Sequence, residues 1–169
     1  DLFQPQRLNS QGTNFADLQE LEKFLAATQS NSDVHINASS ISNTALTTRN
    51  SEQRVSPADQ SVVVGNVTEL LAEDVAPMLK NIDSLDEDGK LNQTRLIDAL
   101  EEVAVRLQAN RCALISIIVR ETGRTLLDAD AEIREAIDFC RYYAAQARCL
   151  FRDPQVLRGP DGEHNTLTY

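Results

Sequence analysis

The acidic run Asp86-Glu87-Asp88-Gly89 has the composition of a calcium loop. With Gly89 at the sixth loop position, Ser84 stands first and Arg95 twelfth, where a bidentate Glu is required. The run is therefore expected to be a solvated acidic turn. His35 and His164 lie in polar surroundings with no Cys or second His at helical spacing, so neither predicts a metal site. Beside Glu163 alone, His164 is also a poor general base. The six glycines, at positions 12, 65, 89, 123, 159 and 162, form neither GxGxxG nor GxxxxGK, so no phosphate cradle is expected. Cys112, Cys140 and Cys149 are odd in number, widely spaced and embedded in helical patterns. That is a reduced-compartment pattern without the CxxC pairs of a zinc site, and Cys140 and Cys149 read as packing residues. Asn37, Asn66 and Asn92 open glycosylation triplets, as chance provides in a chain rich in Asn, Ser and Thr.

One carboxylate stands apart. At about 100° per residue, Ile133, Ile137, Cys140, Ala144, Ala147 and Phe151 form the core stripe of a long helix. Glu135, Phe139, Tyr142 and Gln146 form a second stripe on nearly the opposite side. A helix whose back carries Phe and Tyr is expected to be covered on both sides. A carboxylate between aromatics there is costly unless it meets a cation or a donor. Two outcomes stand open: Glu135 pairs with Arg134, Asp138, Arg141 or solvent, or it contacts a ligand. Periodicity alone favours the first.

The elements that must position these residues follow from pattern. Residues 1–15 are irregular, and Ala16–Thr28 predicts a short amphipathic helix with Leu18, Leu21, Phe24 and Leu25 at i, i+3, i+6 and i+7. Residues 29–53 are rich in Ser, Thr and Asn and read as a linker or a long surface excursion. Val62-Val63-Val64 through Val67 predicts a strand after the Pro57-Ala58-Asp59 turn. Leu71–Ile82 reads as a helix in which Pro77 is tolerable if Glu73 and Asp74 lie in the first turn. Leu91–Asn110 predicts a helix with Leu96, Leu100, Val103 and Leu107 as its stripe. Arg111–Thr122 predicts another, with Leu114, Ile117, Ile118 and Glu121 along it and Gly123 as its stop. Thr125 or Asp128 then caps the long helix, which runs to about Phe151. In the tail, Asn165–Tyr169 alternates like a strand with nothing left in the chain to pair with it.

The whole chain has 169 residues, which suits one domain or one domain plus an appendage, and a formal net charge of −10, which repels phosphate backbones. No specific nucleic-acid partner is predicted, and no apolar stretch approaches the ~20 residues needed to span a bilayer. Asp1-Leu2-Phe3-Gln4-Pro5 is not a secretory signal, since it has neither a basic start nor an apolar run. The single methionine, Met78, and the start at Asp1 predict a processed product or an excised piece. Residues 55–169 carry net −8 against −2 for residues 1–54, and most of the folded mass is expected there.

Residues 114–148, LISIIVRETGRTLLDADAEIREAIDFCRYYAAQAR, resemble the N-terminal helical portion of aldehyde dehydrogenases, most closely the 1-pyrroline-5-carboxylate dehydrogenases. Pro57-Ala58-Asp59 through Gly65-Asn66-Val67-Thr68-Glu69 resembles that family's opening hairpin. Gly159-Pro160-Asp161-Gly162-Glu163-His164-Asn165 resembles the approach to its oligomerisation flap. Asp1-Leu2-Phe3, Arg7, Asn9-Ser10, Gly12 and Phe15 are similar to the segment joining the catalytic halves of bacterial bifunctional proline utilization A flavoproteins. The family usually has Lys where this chain has Arg124, which keeps the charge.

The resemblance implies a mainly α chain with a small β component, an incomplete aldehyde dehydrogenase-like α/β fold. It divides into an inter-domain linker with a short helix (1–28), the polar segment (29–54) and the helical portion (55–169). The implied parent is cytoplasmic, homo-oligomeric and NAD-dependent, with FAD where a proline-oxidising half is present. It oxidises glutamate γ-semialdehyde through a Cys nucleophile, hydride transfer and a Glu-activated water. Cys112, Cys140 and Cys149 do not lie in the nucleophile's context, so this chain alone is expected to be inactive and to bind no cofactor. One residue carries over. In the string Glu135-Ala136-Ile137-Asp138-Phe139, Glu135 takes the place of the Glu that contacts the substrate's α-ammonium, which reverses the preference drawn from periodicity. The rival reading is a non-catalytic helical interaction module that docks a partner on Phe139 and Tyr142.

Overall fold

A computed structural model describes residues 3–39, 51–77, 79 and 93–168. Its described elements are α1 (Leu18–Gln29), β1 (Ile36–Ser39), β2 (Ser51–Val55), β3 (Val63–Thr68), α2 (Gln93–Ala109), α3 (Arg111–Thr122), α4 (Leu126–Leu150), β4 (Gln155–Arg158) and β5 (His164–Leu167). They fall into two compact units, one of Asp1–Gly12, Leu91–Ala109 and Glu132–Tyr169, the other of Thr13–Lys90 and Asn110–Ala131. The acidic turn expected at 83–90 and the triplet at Asn92 lie outside the described residues.

In the second unit, α1 begins where Asp17 accepts hydrogen bonds from the N–H groups of Gln19 and Glu20, at 2.9 and 3.3 Å. These are two of the donors a helix start leaves unpaired. The inner face of α1 buries Phe24 and Thr28 and packs on α3, with Phe15 edge-on to Phe24 at 5.4 Å. The loop that follows is tied to α3 at two points. Ser116 Oγ donates to the Asn31 carbonyl at 3.3 Å, and Arg120 Nη2 donates to the Val34 carbonyl at 2.6 Å.

The polar segment 29–54 thus leads into two strands that its composition did not reveal, both exposed at every position. The reason is that neither strand has a buried face to impose alternation. Their order comes from β3, which lies between them, parallel to β1 and antiparallel to β2. The β2–β3 pair is the hairpin that the family resemblance implied. A Cβ on Gly65 would fall 1.9 Å from the Ile36 carbonyl oxygen, so only glycine lets β1 come this close. At the hairpin end, Asp59 Oδ1 accepts from the Ser61 hydroxyl at 2.7 Å and the Ser61 N–H at 2.9 Å. These bonds, the hydroxyl's first, hold its carboxyl below its ordinary value. Residues 72–77 are helical, which places Glu73 and Asp74 in the first turn, as Pro77 requires.

The stop after α3 is Gly123, at φ 72°, whose N–H donates to the Val119 carbonyl at 3.0 Å. Thr125 then starts α4. Its Oγ1 accepts from the Asp128 N–H at 3.2 Å and donates to Asp128 Oδ2 at 2.8 Å. Thr125→Ala is expected to cost about 1 kcal/mol in denaturant unfolding, with Thr125→Ser close to wild type. Equal losses for the two variants would show that the hydroxyl is not the cap.

In the first unit, the core stripe of α4 is buried at Ile133, Ile137 and Ala144, while Phe151, beyond the helix end, is 41% exposed. The stripe of α2 differs from the one expected. Ile97 and Ala104 are buried, while Leu96 and Val103 are 48% and 44% exposed. Residue size misled the periodicity here: the helix turns its small Ala104 inward, one position round from the larger Val103. The tail also departs from expectation. His164–Leu167 is not unpaired but forms an antiparallel hairpin with Gln155–Arg158, in register from Gln155 opposite Leu167 to Arg158 opposite His164. Val156 and Leu157 on β4 are exposed, so no buried face marked that strand in the sequence.

Candidate functional site

The candidate site lies on α4 within the first unit. Glu135, Phe139, Tyr142 and Gln146 share one side of the helix and all are exposed. Tyr143 joins them, edge-on to Tyr142 at 5.2 Å and tilted against Phe139 at 6.0 Å. Phe139, Tyr142 and Tyr143 are 51%, 43% and 58% exposed, an aromatic density seldom left facing water. Glu135 itself was expected to be buried. In this chain it is exposed.

Of the outcome that periodicity favoured, pairing with helix neighbours is absent among the described residues, while the alternative within it, exposure to solvent, is what the structure shows. Asp138 accepts from the Ser10 N–H at 2.8 Å and the Ser10 hydroxyl at 2.8 Å, and lies 3.4 Å from the Arg7 guanidinium. Arg141 donates to the Asn9 carbonyl at 2.6 Å. The Arg134 guanidinium stands over Gly12, where a Cβ would meet it at 3.0 Å. Of the two cations beside Glu135, the N-terminal segment engages Arg141, while Arg134 is exposed. Glu135 has no hydrogen-bond or ion-pair partner among the described residues.

That segment also borders the C-terminal end of the stripe. Phe3, Gln6 and Arg7 face Tyr142, Gln146 and Cys149 across a groove of about 850 Å³, with Arg7 stacked over the Phe3 ring at 4.0 Å. Arg148 on the groove wall is engaged by Glu101 at 2.8 Å. Arg152 and Asp153 complete its charged lining, Phe3 and Tyr142 give it aromatic surface, and Glu135 lies outside it, nearer the start of the same stripe.

Cys112 and Cys140 are half-buried thiols, and Cys149, read as a packing residue, is exposed at the last turn of α4. His35 and His164 are exposed. Asn37 and Asn66 face each other across β1 and β3, with Asn66 Nδ2 donating to Asn37 Oδ1 at 2.9 Å. Among the described residues no cluster of His, Cys, Asp or Glu could hold a metal ion, and no helix is long and apolar enough to cross a membrane. The described glycines do not fit a dinucleotide. Gly65 lies inside a strand, Gly123 ends a helix, and Gly159 and Gly162 flank β4 and β5, so none opens a strand-to-helix turn.

Sequence reasoning missed the roles of Asp138 and of Asp130. Asp130, 2% exposed, accepts from Arg111 Nε at 2.6 Å, while Arg111 also donates to Thr13 Oγ1 at 2.8 Å and stands over the Phe24 ring. The available signal was an Asp between Ala129 and Ala131 where a helix turns inward.

Residues 45–169 match the aldehyde dehydrogenase family. The chain belongs to that family. Among its relatives within this family, the bifunctional protein PutA of Rhizobium meliloti is 32% identical over 148 residues, 87% of this chain and 12% of the relative. The 1-pyrroline-5-carboxylate dehydrogenase 2 of Halalkalibacterium halodurans is 30% identical over 125 residues, 73% of this chain and 24% of the relative. The crystal structure of proline utilization A from Bdellovibrio bacteriovorus, inactivated by N-propargylglycine, matches at a TM-score of 0.77 and 25% identity, covering 93% of this chain and 17% of that one. The chain thus spans a minor part of each, and its helices and strands form part of an aldehyde dehydrogenase fold.

Proposed function

We propose that this chain is the N-terminal helical part of an NAD-dependent dehydrogenase that oxidises glutamate γ-semialdehyde to glutamate in proline catabolism, within a bifunctional proline utilization A-like protein. In it, Glu135 receives the substrate's α-ammonium. The observation that carries the reading is the state of Glu135: a carboxylate without a protein partner, on a helix face crowded with exposed aromatics, in a chain with PutA and 1-pyrroline-5-carboxylate dehydrogenase relatives. An exposed carboxylate there exchanges its water for an ion-paired hydrogen bond when an ammonium arrives. The thiolate, the nucleotide site and the remaining cover of the groove belong, on this reading, to the rest of the dehydrogenase.

The intact protein is expected to convert the semialdehyde to glutamate with NAD as hydride acceptor. No turnover, together with a stop codon directly after Tyr169, would favour the helical interaction module instead. This chain by itself is expected to take up no NAD in calorimetry, since its glycines make no nucleotide cradle. Stoichiometric uptake would contradict the assignment of the cofactor site to other residues.

A further inference from the structure

Glu135 and Asp138 are three residues apart on α4, so their side chains start about 5–6 Å from each other on one surface. An incoming ammonium would meet two carboxylates of equal charge. The first unit separates their roles. Both Asp138 oxygens are committed to the N-terminal segment: Oδ1 accepts from the Ser10 N–H at 2.8 Å, Oδ2 from the Ser10 hydroxyl at 2.8 Å, and the Arg7 guanidinium stands 3.4 Å away. Arg134 over Gly12 and Arg141 on the Asn9 carbonyl continue the same seam one turn to either side. The seam 134, 138, 141 runs parallel to the stripe 135, 139, 142, displaced by one residue. Gln11 is fastened from α2 as well, its N–H donating to Gln108 Oε1 at 2.8 Å. The strap so held carries Phe3 and Arg7 to the groove that Tyr142 and Gln146 line from α4.

We infer that Asp138 is a positioning residue: by clasping Ser10 and Arg7 it seats the N-terminal strap along the edge of the Glu135 stripe and withdraws its own charge from the substrate's ammonium. The inference rests on the proposed role of Glu135 and adds a second layer to it.

The test is steady-state kinetics of the intact dehydrogenase with glutamate γ-semialdehyde and with propionaldehyde, for Asp138→Ala, Asp138→Asn, Ser10→Ala and Glu135→Gln. Asp138→Ala is expected to raise KM for the semialdehyde roughly tenfold, with a far smaller change for propionaldehyde. Asp138→Asn keeps a carbonyl oxygen for the Ser10 N–H and is expected to recover most of that loss. Ser10→Ala, a milder change on the strap side, shifts KM in the same direction. Should Asp138→Asn be as damaging as Asp138→Ala, the charge rather than the clasp matters and the inference is overturned. If Glu135→Gln is selective while Asp138→Ala and Ser10→Ala are silent, the clasp alone falls. If Glu135→Gln shows no selectivity between the substrates, the clasp falls together with the site reading.

Discussion

Glu135→Ala in the intact dehydrogenase is expected to lower kcat/KM for glutamate γ-semialdehyde roughly 10- to 100-fold, the worth of one hydrogen bond to a charged group. Propionaldehyde, which has no ammonium, should lose far less. The asymmetry follows from the structure. Glu135 has no partner among the described residues, so its removal breaks no internal contact and leaves no buried group unsatisfied. Its aromatic neighbours remain in place to hold an aliphatic chain. A loss of equal size on both aldehydes would mean that the residue supports the helix rather than the substrate.

Asp130→Ala should have the largest effect on stability. The carboxylate is 2% exposed and meets a guanidinium that is itself 11% exposed, with Thr13 and the Phe24 ring completing the surroundings. Taking away one member strands the other charge, at a cost of about 3–5 kcal/mol. Denaturant unfolding of wild type and variant measures it. The double replacement Arg111→Met with Asp130→Leu fills the same space without charge and is expected to recover much of the loss. A single variant as stable as wild type would show that water reaches the pair.

Much of this architecture was legible because local chemistry and tertiary demand agree. Gly123 and Thr125 bracket the α3–α4 junction as their types dictate, and the Ile133, Ile137, Ala144 stripe is buried as periodicity requires. The misses have a common physical origin. Strands β1, β2 and β4 have mostly exposed faces, so no alternation marks them and the partner strand alone defines them. In α2, bulk pointed to Leu96 and Val103 while packing selected Ile97 and Ala104.

The site divides in the same way. The two stripes of α4 could be read from spacing. The clasp could not, because Ser10 and Asp138 are 128 residues apart and polar side chains carry no periodic signal. The proposed role of Glu135 rests on family likeness, and the structure adds that Asp138 and Arg141 beside it are engaged by the N-terminal segment.

A crystal structure of the intact dehydrogenase with L-glutamate bound is the most direct test of the account. The expected result is the Glu135 carboxylate at hydrogen-bond distance, about 2.7–3.2 Å, from the ligand's α-nitrogen, with Phe139 and Tyr142 along its side chain and Asp138 still on Ser10. An α-nitrogen held elsewhere, with Glu135 turned to solvent, would contradict it.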